Sequence, residues 1–238
     1  MNYKTSHILF KFPVRERKDK MLATLHEYYK LMVDRKNFTF LVSIDEDDEI
    51  LNTKEVVWEL MRFPHLQIEV GESNGKIHAC NRDIESAVIK DWDILVLVSD
   101  DMVPIQKGYD MIIRKEFEKH FPDFDGVLHF NDGYQGEKLN TLCILGRKYY
   151  DRFGYIYHPS YKSLYCDNEF TDVSRMLGKV QYFSNTIIQH QHWVWGFGEM
   201  DSLYRHNEKF IQKDMDNYNK RKKMNFEIEK AKETQELT

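Results

Sequence analysis

Residues 91–104 read DWDILVLVSDDMVP, from Asp91 to Pro104. Ile94 to Val98 is an unbroken apolar run of strand length, the pattern of a strand buried on both faces. It stops at Ser99-Asp100-Asp101. Two adjacent carboxylates fit poorly inside a sheet, because like charges repel and burial penalises the ionised form. At the carboxyl end of a buried strand they project instead into a crevice, where ligands sit in open α/β sheets. An Asp pair there suits a divalent cation, and the cation suits a phosphorylated ligand. Ser and Asp are also ordinary turn residues, so this stretch alone describes an acidic turn equally well.

The preceding chain tips the balance. His7 to Phe12 reads as a strand that Pro13 stops, and a charged segment, Val14 to Lys20, leads into a helix with Met21, Leu25, Tyr28 and Met32 at helical spacing. Phe38 to Ile44 is a second strand, and it too ends in acid, Asp45 to Glu49. Asn52 or Thr53 can cap a short helix through Val56, Val57, Leu60 and Met61, which Pro64 ends. Leu66 to Val70 is a third strand, followed by Gly71 to Lys76 and a helix through Ile77, Cys80, Ile84, Ala87 and Val88. Strand and helix therefore alternate up to Asp101. This implies a Rossmann-like α/β fold, a mostly parallel central sheet with helices on both faces. Right-handed crossovers then place the strand ends carrying Pro13, Asp45, Gly71 and Asp100 on one edge.

The second half is less regular. Lys107 to His120 reads as a helix, Asp125 to Phe130 and Thr141 to Leu145 as small additional antiparallel strands, and Arg147 to Phe153 as a short helix ended by Gly154. Asp167 to Leu177 is another helix with Gly178 as its stop signal, and Lys179 to Phe183 and Thr186 to His192 are strands. From Glu199 the chain is charged and helical, and beyond Tyr218 it reads as a solvated tail.

The chain of 238 residues, 42% hydrophobic and 31% charged, is long enough to bury a substantial core. A net charge of -5 argues against a general nucleic-acid binder, which carries a basic face. Cys80, Cys143 and Cys166 are far apart with no CxxC pair, so neither a disulfide framework nor a zinc ribbon is indicated, and a reducing cytoplasmic location is expected. The N-terminal segment is too polar for a signal peptide, and no apolar run reaches transmembrane length.

From the first strand to about His192 the ordered strand-end segments resemble the nucleotide-sugar glycosyltransferases of the A-type fold, in particular the inverting family-2-like group. FPVRERKDK is similar to that group's opening strand-loop segment, which implies that Pro13 and Arg15 contact the nucleotide. VSIDEDDE is similar to its second strand end, implying Asp45 at the base. GESNGKIHACN resembles its Gly-x-x-x-Gly-Lys…Asn segment, implying Gly71, Lys76 and Asn81 beside base and ribose. LVSDDMVP corresponds to the Asp-x-Asp metal motif with Ser99 in place of the first acid; Asp101 is assigned to the metal, and Asp100 to ribose or to a water of the metal shell. The resemblance divides the chain into a transferase domain over 1–198, with a nucleotide-binding half 1–104 and an acceptor-binding half 105–198, and a helical extension and tail over 199–238.

What the resemblance implies is a metal-dependent transferase that moves a sugar from a UDP- or similar nucleotide-sugar donor to an acceptor hydroxyl. The acceptor is a glycan, lipid-linked sugar or protein, with a nucleic acid not favoured; the oligomeric state is left open. A cation bridging the diphosphate would stabilise the charge of the leaving group. By the same resemblance the segment His190-Gln191-His192 supplies an imidazole ligand. Period-2 alternation puts both histidines on one strand face, so either qualifies, with His190 preferred. A mixed oxygen and imidazole shell suits Mn²⁺ better than Mg²⁺. Asp167 in CDNEF matches the group's acidic residue at a helix start and is the candidate base, with the helix N-terminus keeping it ionised and Glu169 as the alternate. Helix capping alone is the competing reading of Asp167. Lys76 lacks the spacing of a P-loop lysine. Trp193, Trp195, Phe197, Tyr155, Tyr157 and Tyr161 line an acceptor groove or pack the core. Two other functions share these features: a sugar-phosphate nucleotidyltransferase, whose usual Gly-rich basic loop is missing from FKFPVRERKDK, and a non-catalytic nucleotide-binding protein.

Overall fold

The computed structural model describes residues 5–85, 91–197 and 199–229. β1 (Ile8–Val14), β2 (Phe38–Asp45), β3 (Leu66–Gly71) and β4 (Ile94–Leu97) are parallel, in the order β3-β2-β1-β4. The sheet continues with β7 (Ile144–Gly146), β6 (Val127–Phe130) and β8 (Val180–Phe183). β7 pairs antiparallel with both neighbours, and β6 and β8 are parallel, so β7 alone runs against the other six strands. A separate ladder joins β5 (Met102–Pro104) to β9 (Ile188–His190). The mostly parallel sheet is therefore observed, and the carboxyl ends of β1 to β4 lie on one edge.

The strands bury both faces because each face meets its own helical layer. Ile8, Phe10, Phe12, Phe38, Phe40 and Val42 pack with Leu25 and Tyr28 of α1 (Lys18–Leu31), Leu60 of α2 (Lys54–Leu60) and Phe117 of α4 (Tyr109–His120). The alternate residues Leu9, Leu41 and Leu95 pack with Ile77 of α3 (Lys76–Asn81), Tyr149 of α5 (Arg147–Asp151) and Phe170 of α6 (Cys166–Met176). This double-sided burial, worth about 1.5–3 kcal/mol for each large apolar side chain, explains the unbroken apolar runs. Lys11, on the second face, departs furthest from the rule: it is fully buried beside Ser43 and Asp83.

Several expected boundaries move for physical reasons. Pro13 does not stop β1, which runs on to Val14 in register with Ile44. The Lys11 carbonyl accepts from Val98 N–H, so residues 11 and 13 turn their backbones toward β4; that ladder ends at Lys11 and Leu97, and the missing N–H of Pro13 leaves no regular ladder bond unmade. Thr53 caps α2 by accepting from Val56 N–H at 3.3 Å. The helix expected through Val88 ends at Asn81, and Ala87 and Val88 lie outside the described residues. Gly178, with φ +64°, ends α6 as expected. β7 has no room for a larger residue at its end, since a Cβ on Gly146 would collide with the Phe124 carbonyl.

The C-terminal segment departs most from its reading as solvated. α7 (Ser202–Glu208) and α8 (Ile211–Lys223) are helical as expected, yet Asp214 and Arg221 are buried, and Phe226 and Ile228 pack with Val173 of α6. The charged residues around Arg221 conceal its burial when the sequence is read for composition alone. Among the described residues no helix is long and apolar enough to cross a membrane.

Candidate active site

The β5–β9 ladder pairs Met102 with His190, and it brings together groups far apart in sequence. Gln191 N–H donates to the Asp101 carbonyl at 2.6 Å, and His190 N–H donates to the Asp132 carbonyl at 3.0 Å. The His190 ring consequently lies between two buried carboxylates, Nε2 3.6 Å from Asp101 Oδ2 and Nδ1 3.8 Å from Asp132 Oδ2. Burial pushes the His190 imidazole down, but the Asp101 and Asp132 carboxylates outweigh it and raise its pKa to about 9. Burial likewise works against an ionised Asp101, yet His190 and the Ser99 hydroxyl hold its carboxyl well below the usual range. Asp132 follows β6 at the same edge. It accepts from Tyr134 N–H at 2.8 Å, Gln135 N–H at 2.7 Å and the Thr141 hydroxyl at 2.8 Å, which fixes its position.

His192 lies beside this pair, its ring 5.3 Å from that of His190. Its ring sits 4.6 Å from that of Tyr204, and its Nδ1 accepts from Val194 N–H at 3.4 Å. The Tyr204 hydroxyl donates to Asp101 Oδ2 at 2.8 Å, so α7 reaches into the site. Arg17 stacks over the Tyr204 ring at 4.1 Å and pairs with Asp201 at 2.7 Å and Asp100 at 3.2 Å. The Asp100 carboxyl is raised by burial and by Asp101 beside it, against the pull of Arg17.

The other end of the edge is built on Asp45. Arg15 Nη1 donates to Asp45 at 2.9 Å, to Asp47 at 2.8 Å and to Ser73 Oγ at 3.2 Å, while Arg82 lies 3.6 Å from Asp45 and donates to the Ile44 carbonyl at 2.7 Å. Gly71 and Pro13 border it at the ends of their strands, Gly71 accepting from Glu46 N–H at 2.8 Å. Asn81 stands apart: its amide donates to the Tyr157 carbonyl at 2.6 Å and accepts from Ile156 and Tyr157 N–H at 3.0 and 3.1 Å.

Asp167 is in the first turn of α6 and is half-buried. The helix terminus does not dominate its acidity: burial raises the carboxyl, opposed mainly by Lys76. Lys76, exposed at the start of α3, is raised on balance: partial desolvation lowers it, and Cys166, Cys80, Asp167 and Asp101 raise it, so it sits within the field of both acids. Glu169 is buried, its oxygens accepting from Arg221 at 2.7 and 2.8 Å and from the Tyr161 hydroxyl at 2.8 Å. The aromatic set divides. Tyr157 and Tyr161 are core residues, while Trp195 and Phe197 are exposed, Trp195 stacked on Tyr134 with centroids 4.8 Å apart.

Solved structures share this arrangement of elements. The mannosyltransferase PcManGT from Pyrobaculum calidifontis, in complex with GDP-Man and Mn²⁺, matches with a TM-score of 0.57 and 14% identity over 78% of this chain and 56% of its own. S. aureus TarS 1-349 in complex with UDP matches with a TM-score of 0.60 and 15% identity over 77% of this chain and 60% of its own. The chain has the A-type glycosyltransferase fold. The likeness is one of fold, and the chain spans somewhat more than half the length of each of these proteins. No protein-family model and no curated protein matches it.

On this glycosyltransferase fold, the residues that sequence reasoning passed over are Arg17, Asp132, Asp201 and Tyr204. Asp132 did carry a signal, since an apolar run ending in acid marks β6 as it marks β2 and β4. Arg17 lay hidden in a charged run, and Tyr204 in a polar helix. Among the described residues no three His, Cys, Asp or Glu side chains form a ready-made metal-ligand group. Asp101 and His190 offer one carboxylate and one imidazole, a donor pair that fits a divalent ion whose other positions a ligand fills.

Proposed function

We propose that the protein is a metal-dependent inverting glycosyltransferase that moves a sugar from a UDP-sugar to an acceptor hydroxyl in the cytoplasm. The observation that carries this reading is the apposition of Asp101 and His190 at the carboxyl edge of an A-type glycosyltransferase sheet. The bound ligands of similar folds, GDP-Man with Mn²⁺ in one and UDP in another, support a nucleotide-sugar donor and Mn²⁺. The free, buried Cys80, Cys143 and Cys166 fit a reducing compartment.

Asp101 and His190 would hold the ion, with His192 beside them. When bound, the ion supplies charge stabilisation for the departing diphosphate. Arg15, Asp45, Gly71 and Pro13 form the nucleotide end of the edge, with Lys76, Asn81 and Asp100 completing the set assigned to it. Asp167 takes the proton from the acceptor hydroxyl, and its raised pKa makes it the stronger base while Lys76 keeps the ionised form populated. Glu169, held by Arg221 and Tyr161, supports the helix that carries Asp167.

The test is turnover of UDP-sugars by the purified protein with Mn²⁺. Slow donor hydrolysis that EDTA stops and Asp101→Ala abolishes is expected, with Asp167→Asn retaining donor binding by calorimetry while transfer collapses. Nucleotide binding indifferent to Mn²⁺ and to Asp101→Ala would refute the site. Pyrophosphate release from a nucleoside triphosphate and a sugar phosphate would instead indicate nucleotidyl transfer.

A further inference from the structure

Among the described residues β3 forms one margin of the seven-stranded sheet and pairs with β2 alone. Phe40 N–H donates to the His65 carbonyl at 2.9 Å and Glu46 N–H to the Gly71 carbonyl at 2.8 Å. With a period of two, odd-numbered residues turn their backbone groups to β2, and Leu66, Ile68 and Val70 turn theirs outward. An unpaired row of N–H and C=O groups is a template for another strand unless charge, proline or a covering element blunts it. The β3 sequence LQIEVG has no proline and a single charge, Glu69. Val70 is 47% exposed. Met61, at the C-cap of the helix that leads into β3, is 70% exposed.

We propose that this margin pairs with β3 of a second copy of the chain, antiparallel about a two-fold axis through Ile68. The register follows from which groups point outward. Centred on Ile68, the hydrogen-bonded pairs are Ile68 with its symmetry mate and Leu66 with Val70, so all three outward residues are used. The intervening pair sets the Gln67 amide opposite the Glu69 carboxylate. Centring on Gln67 leaves Val70 opposite Pro64, which has no N–H, and centring on Glu69 sets two carboxylates against each other. A two-fold pairing closes on itself, whereas β3 against the opposite margin, β8, would propagate without closing. In the dimer one sheet runs through both copies, and antiparallel pairing turns their two candidate sites to opposite edges.

The test uses the full chain, light scattering after gel filtration, and amide hydrogen exchange. The wild type is expected to be a dimer, with Leu66, Ile68 and Val70 amides protected in a concentration-dependent way. Val70→Lys, at an exposed position, is expected to give a folded monomer that loses this protection. Ile68→Pro removes one outward N–H without touching the β2 ladder and is expected to do the same. A wild type that stays monomeric into the high-micromolar range would overturn the proposal. So would a dimer that both variants leave intact, or one whose β3 amides exchange freely.

Discussion

Glu169→Gln removes a negative charge from a buried place where three donors converge: Arg221 Nε at 2.7 Å, Arg221 Nη2 at 2.8 Å and the Tyr161 hydroxyl at 2.8 Å. Glu169 and Arg221 are each only 5% exposed. Taking away one member of a buried pair strands the other charge and costs about 3–5 kcal/mol. In a chain of this size each kcal/mol shifts Tm by about 2–4 °C, so Tm should fall by roughly 6–20 °C. Glu227, 3.3 Å from Arg221 but partly exposed, remains as a second partner and favours the lower part of that range. The assay is thermal unfolding followed by circular dichroism, run beside donor turnover at a temperature where both proteins are folded. Glu169→Gln/Arg221→Met should recover much of the loss, because replacing a whole buried pair with apolar groups is often nearly neutral. A variant with wild-type Tm and abolished turnover would refute the reasoning and move Glu169 into the chemistry.

Asp214 is fully buried and accepts from the backbone N–H groups of Lys162, Ser163 and Leu164 at 2.9, 2.8 and 2.9 Å. Asp214→Ala leaves three donors unpaired and should cost at least about 3 kcal/mol by urea denaturation. Lys11 has its pKa lowered to about 8 by burial, from 10.5. Between those values the unfolded chain binds the proton that the folded chain has released, so wild-type stability rises with pH across the window. Below it the buried charge costs roughly 3 kcal/mol. Lys11→Met should therefore be the more stable protein near neutrality, with an advantage in urea midpoint that shrinks above the folded pKa; a constant difference would refute this. Tyr204→Phe keeps the ring under Arg17 but frees Asp101 of a hydrogen bond worth about 1.5–3 kcal/mol. Mn²⁺ binding followed by electron paramagnetic resonance should tighten by about ten- to a hundredfold, and weaker binding would make the hydroxyl a helper of the ion rather than its competitor.

The parallel half of the sheet was legible because β1, β2 and β4 are buried on both faces, and only unbroken apolar runs survive there. Their acidic ends then located Asp45, Asp100 and Asp101. What stayed hidden was set by pairing rather than by pattern. Additional antiparallel strands were expected in the second half, but not which strands pair: β7 is three residues long, and β5 and β9, three residues each, pair with one another. That ladder sets the His190 ring between Asp101 and Asp132 with the His192 ring 5.3 Å away, contacts that strand periodicity alone does not show. Burial of Arg221 depends on a carboxylate on another helix, so its own neighbourhood, KRKK, reads as solvent-exposed.

The anchoring of residues 162–164 by Asp214 has a consequence for genetics. The loop leading into α6, and with it Asp167, is held in place by a polar helix near the end of the chain. A screen for inactive alleles should collect changes at Asp214 and Arg221 as readily as at Asp101. Temperature would sort them, since cooling restores a loosened loop but not a missing carboxylate.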